Sequence, residues 1–587
     1  MNATSDVHRP VREATRTDRL LAALGGLVAA YVSLAVADLV ASRVRPEASP
    51  VVAVGGAFVD RTPAALKDWA IRTFGEDDKA VLQLGILLVL ALLAVGTGLL
   101  ALRRRALGSA AVGAFGVLGA LAAVTRPDSD SAVDAVPSLV GAAAGALLLY
   151  VLMGRLLAPR PGAVTGPGAG AGTAAGGGAG SGSASGSGTA AENESGTATG
   201  ARAENESGSG SMNATGAGAG TRAARADRRS FLLVAASTGL AATGAAALGR
   251  AVGSPAEENA AASRAALRLP RPASPAPPVP AGARLAVPGI SPFVTPNRDF
   301  YRVDTALVVP KVDANRWRLR LHGTGVREDL VLTLRDLMAR RTVERDITLS
   351  CVSNEVGGPY VGNARWLGVP LADLLRETGV RPPSEGGPAD QLVARSVDGM
   401  TIGTPVEDVM DGRDALLAFG MNGEPLPFEH GFPVRMVVPG LYGYVSACKW
   451  IESIELTTFD AYDAYWVPRG WAAEAPVKTQ SRIDTPRPFG RPAAGTVMVA
   501  GVAWAQHRGV RRVEVRVDDG PWREARLAAE DTRDTWRQWT YPWEAAPGRH
   551  TLTVRATDGT GATQPERRTE TMPDGAQGWH SVVVTVE

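Results

Sequence analysis

Apolar positions follow two different patterns along this chain. In the first 160 or so residues they form long uninterrupted runs, whereas from about residue 290 onward they alternate with polar positions and turn residues. A run of about 20 apolar residues matches the thickness of a bilayer core, and short alternating runs match half-buried strands. The pattern therefore predicts a first half that belongs to a membrane and a second half that folds around strands.

The first half contains four long apolar runs, which predict a four-helix transmembrane region over residues 1–158. The runs are at roughly 20–40, 80–102, 107–124 and 136–157. Arginines precede the first run and separate the second from the third, and such residues tend to stay in the cytoplasm. Loops 42–79 and 126–134 would then face outward. No run contains a histidine, so the helices offer no haem ligands, and anchoring or partner docking is the favoured role.

Two segments of biased composition connect the halves. Residues 159–226 are mostly Gly, Ala, Ser and Thr, which predicts a disordered linker. In residues 227–250, Arg228 and Arg229 precede a modest apolar run, so this segment is either a twin-arginine-like export signal or a fifth transmembrane helix. Both interpretations put the second half outside the cytoplasm. Residues 251–286, rich in Ala and Pro, are predicted to be a second linker.

The second half divides into two predicted domains, so the fold class is multi-domain. Residues 287–475 mix short strands with short helices, which predicts an α+β domain. Residues 476–587 contain about seven short strands at regular spacing, with Asp-Gly and Pro-Gly turns. That pattern is typical of an all-β, immunoglobulin-like sandwich.

Charge and cysteine content limit the function classes. The chain has 61 Lys and Arg against 59 Asp and Glu, so it lacks the basic excess of a nucleic-acid-binding protein. Its two cysteines are too few for a disulfide-dense scaffold or a zinc site with paired C-x-x-C motifs. One disulfide or one thiolate ligand is still compatible with this count.

Three polar clusters of the α+β domain are candidates for chemistry. Cys351, in LSCVSNEVGG, is predicted at the end of a strand in a polar loop, either presented to a cleft or idle. His430, Arg435 and Lys449, in HGFPVRMVVPGLYGYVSACKW, surround a buried strand and glycine turns, which suits either a bound anion such as phosphate or surface salt bridges. The loop FVTPNRDFYRVDTA could bind a ligand or only cap local turns.

The motifs of this half, taken in order, resemble the sulfite oxidase family of molybdopterin-dependent oxidoreductases. They are F-V-T-P-N-x-D-F-Y-R, L-S-C-x-S-N, N-A-R-W-x-G-V-x-L-x-D-L-L and M-N-G-E-P-L-P-x-x-H-G-F-P-V-R, closing with Cys-Lys-Trp. The resemblance spans about residues 290–587. It implies a molybdenum-molybdopterin cofactor (Mo-MPT) and a C-terminal domain that can form a homodimer.

The resemblance also implies roles for individual residues. Cys351 would be the protein ligand of molybdenum, a soft metal that suits a thiolate, with Arg365 and Trp366 beside the catalytic centre. The residues implied in holding the pterin and its phosphate are Asn297, Tyr301, Arg302, Ser353, Asn354, Asp398, His430, Arg435 and Lys449.

The chain departs from the family pattern where the substrate binds. Asn354, Glu355 and Val356 stand where animal and plant members have an arginine pair, and VPRGW at 467–471 stands where a substrate tyrosine is expected. Glu355 would repel a sulfite dianion, which argues against sulfite as the substrate. The sequence looks closer to the exported bacterial branch, some of whose members reduce sulfoxides.

The leading expectation is a membrane-anchored, extracytoplasmic molybdenum oxidoreductase that transfers an oxygen atom on a small sulfite-like or sulfoxide-like substrate. Two cysteines cannot supply an iron-sulfur cluster, so electrons would pass to an external partner, a haem protein or a quinone-linked subunit. The alternative is a cofactor-free cell-surface binding protein, which a disulfide between Cys351 and Cys448 would favour.

Overall fold

A computed structural model describes residues 15–62, 66, 73–74, 78–126, 129, 131–157, 229–244 and 255–587. Its N-terminal part consists of helices α1 Arg16–Val44, α2 Pro50–Arg61, α3 Asp78–Arg103, α4 Arg105–Val124 and α5 Val136–Leu156. All of these except α2 are long and apolar enough to cross a membrane. The predicted helices are confirmed, whereas the membrane crossing and its orientation stay predictions.

Small residues let these helices approach closely. A side chain on Gly26 of α1 would collide with the backbone oxygen of Ala94 in α3, and one on Gly141 of α5 would collide with the oxygen of Ser33 in α1. Helices in lipid gain little from the hydrophobic effect, so they associate through such close backbone packing. Close backbone packing therefore adds to the burial of large side chains such as Leu149, Leu152 and Met153 in stabilising the bundle.

Residues 229–244 form a further helix that packs on this bundle. The ring of Phe231 is fully buried beside Gly25 of α1. At the other end of the helix, the hydroxyls of Tyr31 and Thr243 lie 2.9 Å apart. Whether residues 227–250 are an export signal or a fifth transmembrane helix stays a prediction. Arg228 and the predicted linker 159–226 lie outside the described residues.

The Ala- and Pro-rich segment that follows packs on the α+β domain. Helix α6 Pro255–Ala266 buries Ala260 and anchors Arg264, whose Nε and Nη2 donate to the backbone oxygens of Leu426 (2.7 Å) and Pro425 (2.9 Å). Further on, the amide of Ala273 donates to the oxygen of Thr342. The structure thus differs from the prediction of a separate linker for residues 255–286, because Ala260 and Ser263 of this helix are buried and Arg264 donates to backbone oxygens of the domain.

The α+β domain is built on two five-stranded sheets. One sheet has the order β2-β1-β10-β5-β6, and the other β3-β4-β7-β8 with β9 added on β7. The strands are β1 Arg318–Gly323, β2 Leu330–Thr333, β3 Val343–Ser350, β4 Val361–Pro370, β5 Gln391–Ser396, β6 Thr401–Pro405, β7 Leu416–Met421, β8 Glu424–Pro425, β9 Arg435–Val437 and β10 Ile451–Thr457. Short helices connect them: α7 Leu334–Met338, α8 Leu371–Glu377, α9 Val406–Met410 and α10 Gly443–Ser446.

The C-terminal domain consists of two four-stranded sheets with the orders β11-β12-β16-β15 and β14-β13-β17-β18. The strands are β11 Gln480–Thr485, β12 Gly495–Trp504, β13 Val510–Val517, β14 Arg523–Glu524, β15 Arg526–Leu527, β16 Arg537–Ala545, β17 Gly548–Asp558 and β18 His580–Val586. Val499, Trp539, Leu552 and Val584 are fully buried in its core. The all-β prediction is confirmed, and the specific immunoglobulin-like arrangement stays a prediction.

Candidate active site

Cys351 lies in the loop directly after β3, on the wall of a cavity of about 350 Å³. Its amide donates to the oxygen of Tyr360 (2.9 Å), which closes a loop over residues 351–360. We call this segment the cysteine loop. Cys351 and Cys448 are not joined by a disulfide, so the bond that would favour the binding-protein interpretation is not formed. Cys448 is fully buried, and burial raises the pKa of its thiol.

The C-terminal domain holds the cysteine loop from behind. Arg482 of β11 donates from Nη1 to the oxygen of Gly358 (2.8 Å). Gly357 has φ +82°, and a side chain there would overlap the ring of His580 at the start of β18. The loop can follow this path because glycine adopts the left-handed region without strain. The position of Cys351 therefore depends on both domains.

Arg435 lines the same cavity and is the most deeply buried cation of the site. It is 5% exposed, and its Nη1 and Nη2 donate to the oxygens of His430 (3.2 Å) and Ala447 (3.4 Å). Among the described residues its Nε has no hydrogen-bond partner, and no carboxylate forms an ion pair with it. Burial lowers its pKa to about 10, so it keeps its charge at neutral pH.

His430 lies beside Arg435 and acts as a neutral donor. Its Nε2–H donates to the backbone oxygen of Asn297 (2.9 Å), and its ring packs edge-on against Phe300. Burial lowers the pKa of His430 to about 4. At pH 7 it therefore adds no positive charge to that of Arg435.

Lys449 reaches the cavity together with a carboxylate that the sequence had not singled out. Its Nζ donates to Oδ2 of Asp304 (2.5 Å) and to the oxygen of Glu429 (3.1 Å). Arg302 does not line the cavity, but its Nε donates to the same Asp304 oxygen (3.0 Å). Asp304 stands two residues after Arg302 in the polar loop, and this spacing was the signal that could have identified it.

Tyr301, Ser353 and Asp398 also line the cavity. The pKa of Tyr301 is raised by burial and by the nearby Cys351, so its phenol stays neutral. Asp398 accepts hydrogen bonds from Thr305 (3.4 Å) and from the amide of Met400 (3.2 Å). The structure thus brings seven of the twelve predicted residues to one cavity: Tyr301, Cys351, Ser353, Asp398, His430, Arg435 and Lys449.

Asn297 and Asn354 support the site from outside the cavity. Asn297 binds Oε1 of Glu424 through its Nδ2 (2.5 Å) and positions His430 through its backbone oxygen. Asn354 accepts from the amide of Tyr360 (2.9 Å) within the cysteine loop, while its buried Nδ2 has no partner among the described residues.

The structure places Arg365 and Trp366 away from the cavity lining. Arg365 turns toward Asp346, with Nε to Oδ1 at 2.9 Å and Nη2 to Oδ2 at 2.6 Å. Trp366 is fully buried under the site, and Cζ of Arg435 lies 5.0 Å from the centre of its ring. They are adjacent on β4, so their side chains emerge on opposite faces of the sheet.

An aromatic wall that the sequence analysis did not predict completes the cavity. Tyr444 and Trp471 lie with ring centres 5.7 Å apart, and Trp466 lies 6.4 Å from Trp471. All three line the cavity, and the hydroxyl of Tyr444 donates to the oxygen of Ala472 (2.7 Å). The density of aromatic residues in AYDAYWVPRGW, at 461–471, was a sequence signal for Trp466 and Trp471 of this wall.

Comparison with known proteins assigns both domains. Residues 306–466 match the family model of the oxidoreductase molybdopterin binding domain, and residues 475–587 match that of the Mo-co oxidoreductase dimerisation domain. The mitochondrial sulfite oxidase of Rattus norvegicus is 31% identical over 288 residues, 42% of this chain and 52% of that protein. The uncharacterized oxidoreductase YuiH of Bacillus subtilis (strain 168) is 31% identical over 159 residues, 27% of this chain and 74% of that protein.

A solved structure, the sulfane dehydrogenase SoxCD from Paracoccus pantotrophus, is 25% identical, covers 51% of this chain and 85% of that one, and has a TM-score of 0.43. This chain spans about half the length of the sulfite oxidases that it matches. The cavity and its donors define a molybdopterin-binding oxidoreductase domain. The chain belongs to the sulfite oxidase family of molybdenum-dependent oxidoreductases.

The residues of the cavity fit the molybdenum-molybdopterin cofactor of this family. The thiol of Cys351 is a suitable ligand for a soft metal. Arg435, a buried cation with an unsatisfied Nε among the described residues, suits a phosphate, which accepts charge-assisted hydrogen bonds. The fit therefore rests on donors of the right chemistry at one cavity.

Proposed function

We propose that this chain is a membrane-anchored, extracytoplasmic molybdenum oxidoreductase that transfers an oxygen atom on a small sulfur compound of the sulfoxide class. The observation that carries the proposal is the convergence of Cys351, Arg435 and Lys449 on one cavity with an aromatic wall. When bound, the cofactor supplies the two-electron oxygen-atom chemistry. The protein supplies ligands, orientation and the substrate surface.

The proposed division of labour follows the polarity of the cavity. Cys351 would bind the metal, while Arg435, Lys449 and His430 would hold the pterin and its phosphate by charge-assisted and neutral hydrogen bonds. Tyr301, neutral because burial raises its pKa, would donate a hydrogen bond near the thiolate. Asp398 would anchor the pterin from the other side of the cavity.

The aromatic wall favours a sulfoxide over sulfite, the substrate in the name of the animal relatives. Sulfur atoms of thioethers make favourable contacts with aromatic rings, and Tyr444, Trp466 and Trp471 offer three of them. A sulfite dianion needs a cluster of cations instead, and at neutral pH the described cavity lining has only Arg435 and Lys449, both of which we assign to the cofactor. Glu355 in the cysteine loop adds a negative charge nearby.

The remaining parts of the proposal concern anchoring and partners. The four long apolar helices support a membrane anchor, and the arginine distribution supports an outward-facing catalytic domain. The match of residues 475–587 to a dimerisation domain supports a homodimer. Because the chain has two cysteines, both outside any cluster motif, an external redox partner would exchange electrons with the site.

The test uses the full chain purified in detergent from a host that makes the pterin. We expect near-stoichiometric molybdenum by elemental mass spectrometry, loss of most of it in Cys351→Ser, and no loss in the matched variant Cys448→Ser. With reduced viologen dye as donor, the wild type should reduce a dialkyl sulfoxide faster than it oxidises sulfite with an artificial acceptor. A folded Cys351→Ser variant that keeps its metal, or a wild type without metal, would refute the proposal.

A further inference from the structure

The outer part of the active-site cavity is built by residues of the helical bundle. The same cavity as that of Cys351 is lined by Phe58 and Val59 of α2, by Leu66 and Phe74 between α2 and α3, and by Leu82 of α3. All five are apolar, and Phe58 is 55% exposed. We call this part the helix-side mouth.

Direct packing of the bundle on the catalytic domain supports this arrangement. A side chain on Gly55 of α2 would come within 2.9 Å of Cδ1 of Leu307 in the catalytic domain and 3.2 Å of Cδ1 of Ile86 in α3. Gly55 therefore lets three segments meet beside the cavity. Loop 42–79, which contains α2, is one of the two loops that the arginine distribution predicts to face outward, on the same side as the catalytic domain.

Polarity changes from one end of the cavity to the other. At the inner end lie Cys351, Arg435 and the Lys449–Asp304 pair, and at the helix-side mouth lie apolar side chains. Thr62 and Thr305 also line the cavity, and their hydroxyls donate to the oxygen of Phe58 (2.8 Å) and to Asp398 (3.4 Å). A ligand that matches this gradient has a polar head with oxygen acceptors and an apolar tail that extends toward the helices.

The numbers of electrons and protons in the proposed reaction narrow the chemical class of that ligand. Reduction of a sulfoxide to a thioether and one water consumes two electrons and two protons. Oxidation of a quinol to a quinone releases two electrons and two protons, so the two half-reactions balance. The chain itself offers neither the four cysteines of an iron-sulfur cluster nor a histidine in its long apolar runs, and a donor dissolved in the membrane would reach this mouth directly.

We infer that the helix-side mouth binds the head group of a lipid-soluble quinone, which exchanges electrons with the cofactor site. This inference rests on the proposed function and names its redox partner. Phe58 packs against the quinone ring or the first part of its tail, and Leu307 closes the opposite side. The bundle then delivers an electron carrier in addition to anchoring the enzyme.

The test measures quinone binding without turnover. The full chain in detergent is labelled by light with an azido-substituted benzoquinone that carries a short alkyl tail, then digested and analysed by mass spectrometry. We expect saturable labelling between Phe58 and Leu82 that excess unlabelled quinone prevents. Phe58→Ala should weaken binding about tenfold, as expected for one lost aromatic contact. Phe115→Ala, a phenylalanine of α4 outside the mouth, should not change it.

Labelling that is not saturable, or that neither Phe58→Ala nor Leu307→Ala weakens, would overturn the inference. Molybdenum content and viologen-driven sulfoxide reduction are measured on the same wild-type samples. If both are present while quinone labelling fails, the quinone mouth is refuted and the proposed function stands. If molybdenum is missing, the proposed function falls, whatever the quinone result.

Discussion

Two arginines of the catalytic domain are placed in opposite electrostatic surroundings. Arg435 of β9 is 5% exposed, and among the described residues it donates only to backbone oxygens. Arg365 of β4 forms a bidentate ion pair with Asp346, with Nε to Oδ1 at 2.9 Å and Nη2 to Oδ2 at 2.6 Å. Burial lowers the pKa of Arg435 to about 10, whereas the hydrogen bonds to Asp346 raise the pKa of Arg365.

This difference separates a binding residue from a structural one. A buried charge is costly unless an opposite charge or several hydrogen bonds compensate it. The carboxylate of Asp346 neutralises the charge of Arg365 within the fold, so Arg365 would bind an anionic ligand only weakly. Arg435 is compensated only by backbone dipoles, and an anionic group in the cavity would bind it strongly. The comparison predicts that replacing Arg435 lowers the affinity for the cofactor, whereas replacing Arg365 lowers the free energy of unfolding.

The largest effect is expected for Arg435→Gln. Loss of two charge-assisted hydrogen bonds to a phosphate corresponds to about 3 kcal/mol, or roughly a hundredfold in cofactor affinity. The apoprotein should be at least as stable as the wild type, because the change removes a buried, poorly compensated charge. Elemental mass spectrometry gives the molybdenum content, and urea unfolding of apoprotein gives the stability. A variant that keeps its cofactor would show that Arg435 does not bind the anion.

Arg365→Gln should have the reverse outcome. It leaves Asp346, whose side chain is 1% exposed, without its strongest partner. Breaking a buried ion pair costs about 3 to 5 kcal/mol, and because Arg365 itself is partly exposed we expect about 2 kcal/mol, measured as a lower urea midpoint. Molybdenum content per folded molecule should not change. If the variant instead lost cofactor without losing stability, Arg365 would have to act at the catalytic centre, as the sequence resemblance implied.

The sequence predicted the cations of the site better than their surroundings. Local pattern singled out Cys351, His430, Arg435 and Lys449 as candidates, the family resemblance implied one shared site, and the structure brings all four to one cavity. Arg365 belongs to an equally specific motif, yet its direction depends on Asp346, nineteen residues earlier on β3. Whether a cation is paired with a carboxylate depends on tertiary contacts, and a local sequence motif does not contain that information.

The same limit applies to the fold. Alternation predicted β1, which buries one face, whereas a continuous apolar run predicted β9, which is buried on both faces. The prediction for residues 255–286 followed from their Ala and Pro content, whereas the structure lays them on the catalytic domain through Arg264 and Ala260. Alanine is compatible with both a helix and a loose linker, and only the partner surface decides. The aromatic wall of Trp466 and Trp471 was missed for a similar reason.

The smallest effect concerns the carboxylate that faces the Arg365–Asp346 pair from the C-terminal domain. Burial and the negative charge of Asp346 raise the pKa of Asp531 to about 6, with Arg365 and Arg284 opposing the shift. A carboxyl whose folded pKa lies above its unfolded value of about 3.9 stabilises the fold below pH 4 and loses that contribution as the pH rises through 6. Asp531 is half exposed, so the contribution is about 1 kcal/mol or less.

Asp531→Asn separates this contribution from those of other groups. Asparagine imitates the protonated carboxyl, so the variant should match the wild type at pH 4 and exceed its stability by pH 7.5, in urea unfolding at both pH values. The buried histidines His430 and His580, whose pKa values burial lowers to about 4, act in the opposite direction over this range. Both histidines are present in the wild type and in the variant, so their contributions cancel in the difference between the two unfolding free energies. A variant less stable than the wild type at pH 7.5 would mean that Arg365 compensates two carboxylates rather than one, and the contrast with Arg435 would be sharper than proposed.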